Sequence, residues 1–139
     1  MDKPISSGLK SLFLFHAVAG LVFGLAFLVI PATVAGWFSM PHTDEPYLRL
    51  LGAAILGFSA TSVAGYLAHY WDEVKIVVQG EFVWTGLAAV LSLWFVLDGT
   101  WPAGGWVYFG LMAIFFLAFG YVYWREARTL AVPRPSPRT

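Results

Sequence analysis

Four runs in this chain, at about 9–30, 48–70, 74–97 and 106–124, are each long and apolar enough to cross a lipid bilayer. A hydrocarbon core about 30 Å thick needs roughly 20 residues of helix. Lipid offers no hydrogen bonds, so a span must satisfy its own N–H and C=O groups, and each run is expected to be an α-helix. The strands of a membrane barrel would be about half as long and would alternate apolar with polar residues. These runs do neither. The expected fold is all-α: a single four-transmembrane-helix bundle over 1–139, with a basic, proline-rich tail at 129–139 that is expected to be extended.

Composition agrees with a lipid-facing surface. Hydrophobic residues make up 59% of the chain and charged residues 12%, against about 25% charged in an ordinary soluble domain. The formal net charge is zero, which gives no reason to expect nucleic acid as a partner; the bilayer itself is the expected surrounding. There is no cysteine, which removes disulfides, thiolate catalysis, iron–sulfur clusters and cysteine-based zinc sites together. Thr33, Val34 and Ala35 follow the first apolar run as small residues do at a signal cleavage site. That run is longer than a signal-peptide core, so it is expected to be retained.

The basic residues orient the spans. With the N-terminus inside, Lys3, Lys10, Lys75, Arg125, Arg128, Arg134 and Arg138 are cytoplasmic and only Arg49 lies outside. The positive-inside rule counts these residues rather than net charge. Both termini are therefore expected in the cytoplasm. Segment 31–40 begins with a helix-compatible proline and carries Val34, Trp37 and Phe38 to one side, as a short interfacial helix would. Asp72 is expected to cap the third helix, with Glu73 complementing its dipole. Trp71, Trp101, Trp106, Tyr121, Tyr123 and Trp124 sit near span ends, where an aromatic belt belongs.

Helices in lipid associate through small residues. The second span has Ala53, Gly57, Thr61 and Gly65 at spacing four, beside a stripe of Ala60, Ala64 and Ala68, and is expected to be central and most buried. The first span has Gly20 and Gly24. The third pairs Thr85 with Ala89 and Ala88 with Ser92. Such stripes serve packing within one bundle, and equally a homo-oligomer or a larger membrane complex.

Ionisable groups at membrane depth are costly and call for a partner or a role. His16 shares a face with Gly20 and Gly24, and Glu81 shares one with Val78, Thr85 and Ser92. Both enter from the cytoplasmic side to similar depth, so they are expected to face the interior and meet. A structural hydrogen bond would explain them, as would a proton-linked or ligand-binding site. Gln79 and His69 lie near the same level. Haem ligation by His16 and His69 would place two ligands about a turn or more apart in depth, so no cofactor and no metal site is expected. On the outer side Arg49 is expected to pair with Glu45 or Asp98. His42, between Pro41 and Thr43, reads as solvated. No zinc-protease, nucleophile-elbow, Walker or dinucleotide motif is present. Segments 31–38 and 101–108 echo each other faintly, as the two halves of an old duplication would.

Residues 48–57 (Leu-Arg-Leu-Leu-Gly-Ala-Ala-Ile-Leu-Gly) and 77–84 (Val-Val-Gln-Gly-Glu-Phe-Val-Trp) resemble the small four-helix membrane proteins of bacteria and archaea classed as domains of unknown function. More loosely, the hairpin layout is similar to that of DoxX-like proteins. The resemblance spans about 10–126 and implies a prokaryotic cytoplasmic membrane, without an active site to carry over. Three functions compete. The first is an accessory subunit or homo-oligomeric bundle binding lipid or a hydrophobic ligand. The second is a proton-linked transporter using His16 and Glu81, and the third a lipid-modifying enzyme using the same pair as acid and base.

Overall fold

The computed structural model describes residues 3–41, 44–101 and 103–130. Among them, regular structure is helical: α1 (Ser7–Val29), α2 (Pro31–Trp37), α3 (Glu45–Leu67), α4 (Trp71–Leu97) and α5 (Gly104–Leu130). α1, α3, α4 and the Gly104–Glu126 part of α5 are the helices long and apolar enough to cross a membrane. His42 and residues 131–139 of the tail lie outside the described residues.

Helix ends follow capping groups rather than the edges of hydropathy, which moves several boundaries. α1 starts at Ser7 because Ser6 Oγ accepts the Leu9 N–H, as an N-cap serine does. α3 starts at Glu45, with Pro46 in its first turn, where the missing N–H costs nothing. α4 starts at Trp71, three residues before the apolar run. Its N-cap is Tyr70, not the expected Asp72. Glu73 does the capping: its carboxylate accepts the N–H groups of His69 (2.9 Å) and Tyr70 (3.2 Å). α5 continues as a polar helix beyond 124, where Arg128 lies 3.7 Å over the ring of Trp124. Residues 129 and 130 are thus helical rather than extended.

α1 packs along α3, and α4 along α5, so the molecule is two antiparallel pairs with lighter contact between them. Leu9 and Phe13 of α1 join Trp71, Val74 and Val78 of α4 and Phe115, Phe119 and Val122 of α5 in one buried cluster. A second cluster, Phe27, Val34, Ala35 and Leu48, ties α2 to α1 and α3 at the opposite end. Long rows of apolar side chains stay exposed, among them Phe15, Val22, Ile76, Leu87, Val90 and Leu117. In water such a surface would drive aggregation; against acyl chains it carries no penalty.

α3 is not the most buried span. Its contact face is Leu48, Gly52, Ser59, Ser62 and Gly65, while Ala53, Gly57, Ala60, Thr61 and Ala64 are exposed. The reason is geometric. At 3.6 residues per turn, a stripe at spacing four rotates by about 40° per step. From Ala53 to Gly65 it winds about a third of the way round the helix, so that Gly65 reaches α1, against the ring of Phe13, and Thr61 reaches only the Glu81 carboxylate of α4. Gly20 and Gly24 of α1 do face α3, at Ser59 and at Leu56 and Gly52.

One end gathers residues 3–6, the α3–α4 turn and the polar end of α5. Pro4 and Tyr70 form an isolated antiparallel bridge, and Trp71 N–H donates to Lys3 O at 2.8 Å. Lys3 Nζ pairs with the Glu126 carboxylate, and Arg125 bonds Ser6 Oγ at 2.8 Å. At the other end, Trp101 Nε1–H donates to Phe38 O at 2.6 Å, holding α2 to the α4–α5 loop.

Candidate functional site

His16 lies nine residues into α1, and Glu81 ten residues into α4. At 1.5 Å per residue both sit about 14–15 Å from the same end of the molecule. His16 is 7% and Glu81 1% exposed. His16 Nδ1 stands 3.6 Å from Glu81 Oε1, too far for a direct hydrogen bond. The link runs through Ser62 of α3. Its fully buried hydroxyl is 2.9 Å from His16 Nδ1 and 3.1 Å from Glu81 Oε1. Thr61 Oγ1 approaches the same carboxylate oxygen at 3.4 Å. Glu81 Oε2 is buried without a hydrogen-bond partner among the described residues.

Hydrocarbon-like walls surround this chain. The His16 ring stands edge-on to Phe115 (4.6 Å between centroids) and Phe119 (5.5 Å). The neighbouring hydroxyls are occupied elsewhere: Thr85 donates to Glu81 O, Ser92 to Ala88 O and Ser59 to Ala17 O. Each thereby removes its own polarity from the interior.

His16 also lines a partly enclosed cavity of about 170 Å³ between the two helix pairs. Its walls are Gly20, Phe23 and Phe27 of α1; Leu51, Ile55 and Phe58 of α3; Trp84 of α4; and Tyr108, Met112 and Phe115 of α5. Phe38, Met40 and Trp101 close the end remote from His16. Trp84 stacks on Phe58 at 5.1 Å, so that wall is a continuous aromatic surface. With Nδ1 engaged by Ser62, Nε2 is the polar atom of His16 left for an occupant. Tyr108 adds a phenol in the first turn or so of α5, which begins at Gly104.

The other sequence candidates stand apart from this cluster. Gln79 Nε2 donates to Tyr123 OH at 3.0 Å, away from Glu81. His69 lies in the α3–α4 turn, its ring tilted against Tyr70 at 6.4 Å. Arg49 pairs with Glu45 at 3.1 Å and also donates to Leu28 O, so its partner is Glu45 and not Asp98. Asp98 instead accepts the Thr100 N–H at 2.8 Å, and bonds from the Thr100 hydroxyl and this N–H hold its carboxyl below the usual carboxylate range. Among the described residues no group of three or more His, Asp or Glu side chains is arranged to hold a metal ion.

Sequence reasoning missed Ser62, the atom that joins the pair, and the aromatic cavity. Ser62 was legible in principle: Gly52, Ser59 and Ser62 recur at the mixed three-and-four spacing of one helix face. The cavity had no such signal, because its walls come from four helices and two connections. Comparison with known proteins finds no matching family model, no matching curated protein and no matching solved structure.

Proposed function

We propose that this is a small multi-pass protein of a prokaryotic cytoplasmic membrane, with both termini inside, that binds a hydrophobic ligand in the cavity between its helix pairs. The cavity carries the reading. Protein interiors are packed as densely as organic crystals, and large voids are few. Ligand sites combine apolar walls with a small number of placed polar groups, which describes this space with His16 at one end and Tyr108 toward the other. A void of roughly 150 Å³ accommodates benzene. The volume here therefore suits a ring or a short chain, with any longer tail leading out into lipid. The excess of Lys and Arg on one side supports the orientation.

Mild-detergent purification from the native membrane, followed by solvent extraction and mass spectrometry, tests the reading. The expected result is one apolar molecule released in stoichiometric amount. Ala19 of α1 also lines the cavity, and Ala19→Phe, which places a ring there, should fold and lose that molecule. Native protein releasing only bulk lipid, in the same amount as Ala19→Phe, would sink the proposal.

A second reading, an accessory subunit or homo-oligomer, draws on the outward face of α3. Ala53, Gly57, Ala60 and Ala64 are exposed there, and Gly57 has nothing within 4 Å of an added Cβ. Small residues on a lipid-facing surface permit close approach of another helix. Native mass spectrometry from nanodiscs distinguishes the two, since a monomer without companions removes the subunit reading alone.

A further inference from the structure

The single proton on the Ser62 hydroxyl determines what His16 can offer to the cavity. If Ser62 donates to Glu81, its oxygen must accept from His16, so Nδ1 carries the imidazole hydrogen. In a neutral ring Nε2 is then a bare acceptor. If Ser62 donates to Nδ1 instead, the ring hydrogen sits on Nε2. The Ser62 oxygen then needs a donor, and a protonated Glu81 supplies it at 3.1 Å. An imidazolium beside a carboxylate also presents Nε2–H, and it contains the same number of protons. The remaining arrangements aim the carboxyl proton at Thr61 Oγ1, whose 3.4 Å is too long for a sound O–H···O bond, or put it on Oε2. That atom is buried without a partner among the described residues, so an O–H there would be an orphan donor. Nε2 is thus a donor when the pair holds one proton more, and an acceptor when it holds one fewer.

The titratable groups meeting at this point are His16 from α1 and Glu81 from α4. α3 contributes the hydroxyls of Ser62 and Thr61, and α5 the rings of Phe115 and Phe119; Tyr108 lies further along the cavity. Net charge at this depth is costly, so the resting pair is the one of zero net charge, which shows Nε2–H to the cavity. Resting on the ligand-binding reading above, we propose that the cavity takes a ring-sized hydrophobic ligand whose head is a hydrogen-bond acceptor, such as a ketone carbonyl, and that it binds together with one proton held on the Glu81–Ser62–His16 chain.

The test uses the full-length protein in nanodiscs, with acetophenone as an acceptor-only probe and indole as a donor-only probe. Calorimetric titrations run from roughly pH 5 to pH 9, a range reaching from near the ordinary Glu value to well above that of His, with Ala19→Phe as the blank for partition into lipid. Acetophenone is expected to bind about tenfold more weakly at the alkaline end, the loss of one good hydrogen bond, while indole does not weaken. In Glu81→Gln the amide N–H donates to Ser62 at every pH, so acetophenone affinity should become flat. In the native protein, buffers of differing ionisation enthalpy should report net proton uptake over the pH range where acetophenone affinity falls, peaking at about half a proton per acetophenone for a tenfold loss. Acetophenone binding that is flat in the native protein, or without proton uptake there, overturns the coupling and leaves ligand binding intact. If neither probe binds above the blank, ligand binding fails with it.

Discussion

Gly24 of α1 and Gly52 of α3 face each other where the two helix backbones come close. A Cβ on Gly52 would come within 2.8 Å of Gly24 O and 2.9 Å of Leu28 N, both backbone atoms that cannot swing aside. Gly52→Ala is therefore expected to destabilise the protein by about 1–2 kcal/mol, overpacking outweighing the better helix propensity of alanine. Gly57→Ala, five residues on and facing outward, should leave stability unchanged or slightly raised. Detergent-to-SDS unfolding of both variants provides the measurement. Equal loss in both would mean that the outward stripe is the true contact.

Removing the Ser62 hydroxyl leaves two buried polar atoms without their shared partner. Ser62→Ala should cost about 1–2 kcal/mol, near the upper range measured for interhelical hydrogen bonds in membranes. In the same unfolding experiment, Ser11→Ala on the exposed side of α1 should show no loss.

Trp101 pins α2 through its indole N–H on Phe38 O, and Gly104 lies so close to that carbonyl that a side chain there would collide with it. Trp101→Phe keeps most of the ring but deletes the donor. Hydrogen exchange should then accelerate at the backbone amides of α2, while α1 and α5 keep their protection. Uniform acceleration in every helix would show that the bond stabilises the whole fold and not α2 alone.

The absence of cysteine makes the proposed orientation easy to examine. Asp72→Cys, in the first turn of α4, should resist a membrane-impermeant maleimide in intact spheroplasts and react after lysis. Asp98→Cys should react in both. The reverse pattern would invert the topology.

The membrane spans were legible because hydropathy over about twenty residues is a property of the segment alone. The meeting of His16 with Glu81 could be anticipated for a related reason: depth follows from residue count along a helix, and polar groups avoid lipid. What could not be read is azimuth. Ala53, Gly57 and Thr61 looked like a contact face, and Ser62 went unremarked, because rotation of α3 about its axis depends on which ridge of α1 it meets. The cap of α4 was misjudged for a local reason. Asp72 and Glu73 are both acidic, and only the backbone shows that the longer side chain reaches back to His69 and Tyr70.

The cavity between the helix pairs also has a mechanical consequence. A close-packed interior has almost no volume to surrender, whereas the cavity at the seam between the two halves is volume the fold can give up. Compression acts on voids. Hydrostatic pressure should push the halves together and expel an occupant poorly matched to the space, while a well-matched occupant would make the protein stiffer. Filled and empty forms thus differ first in compressibility.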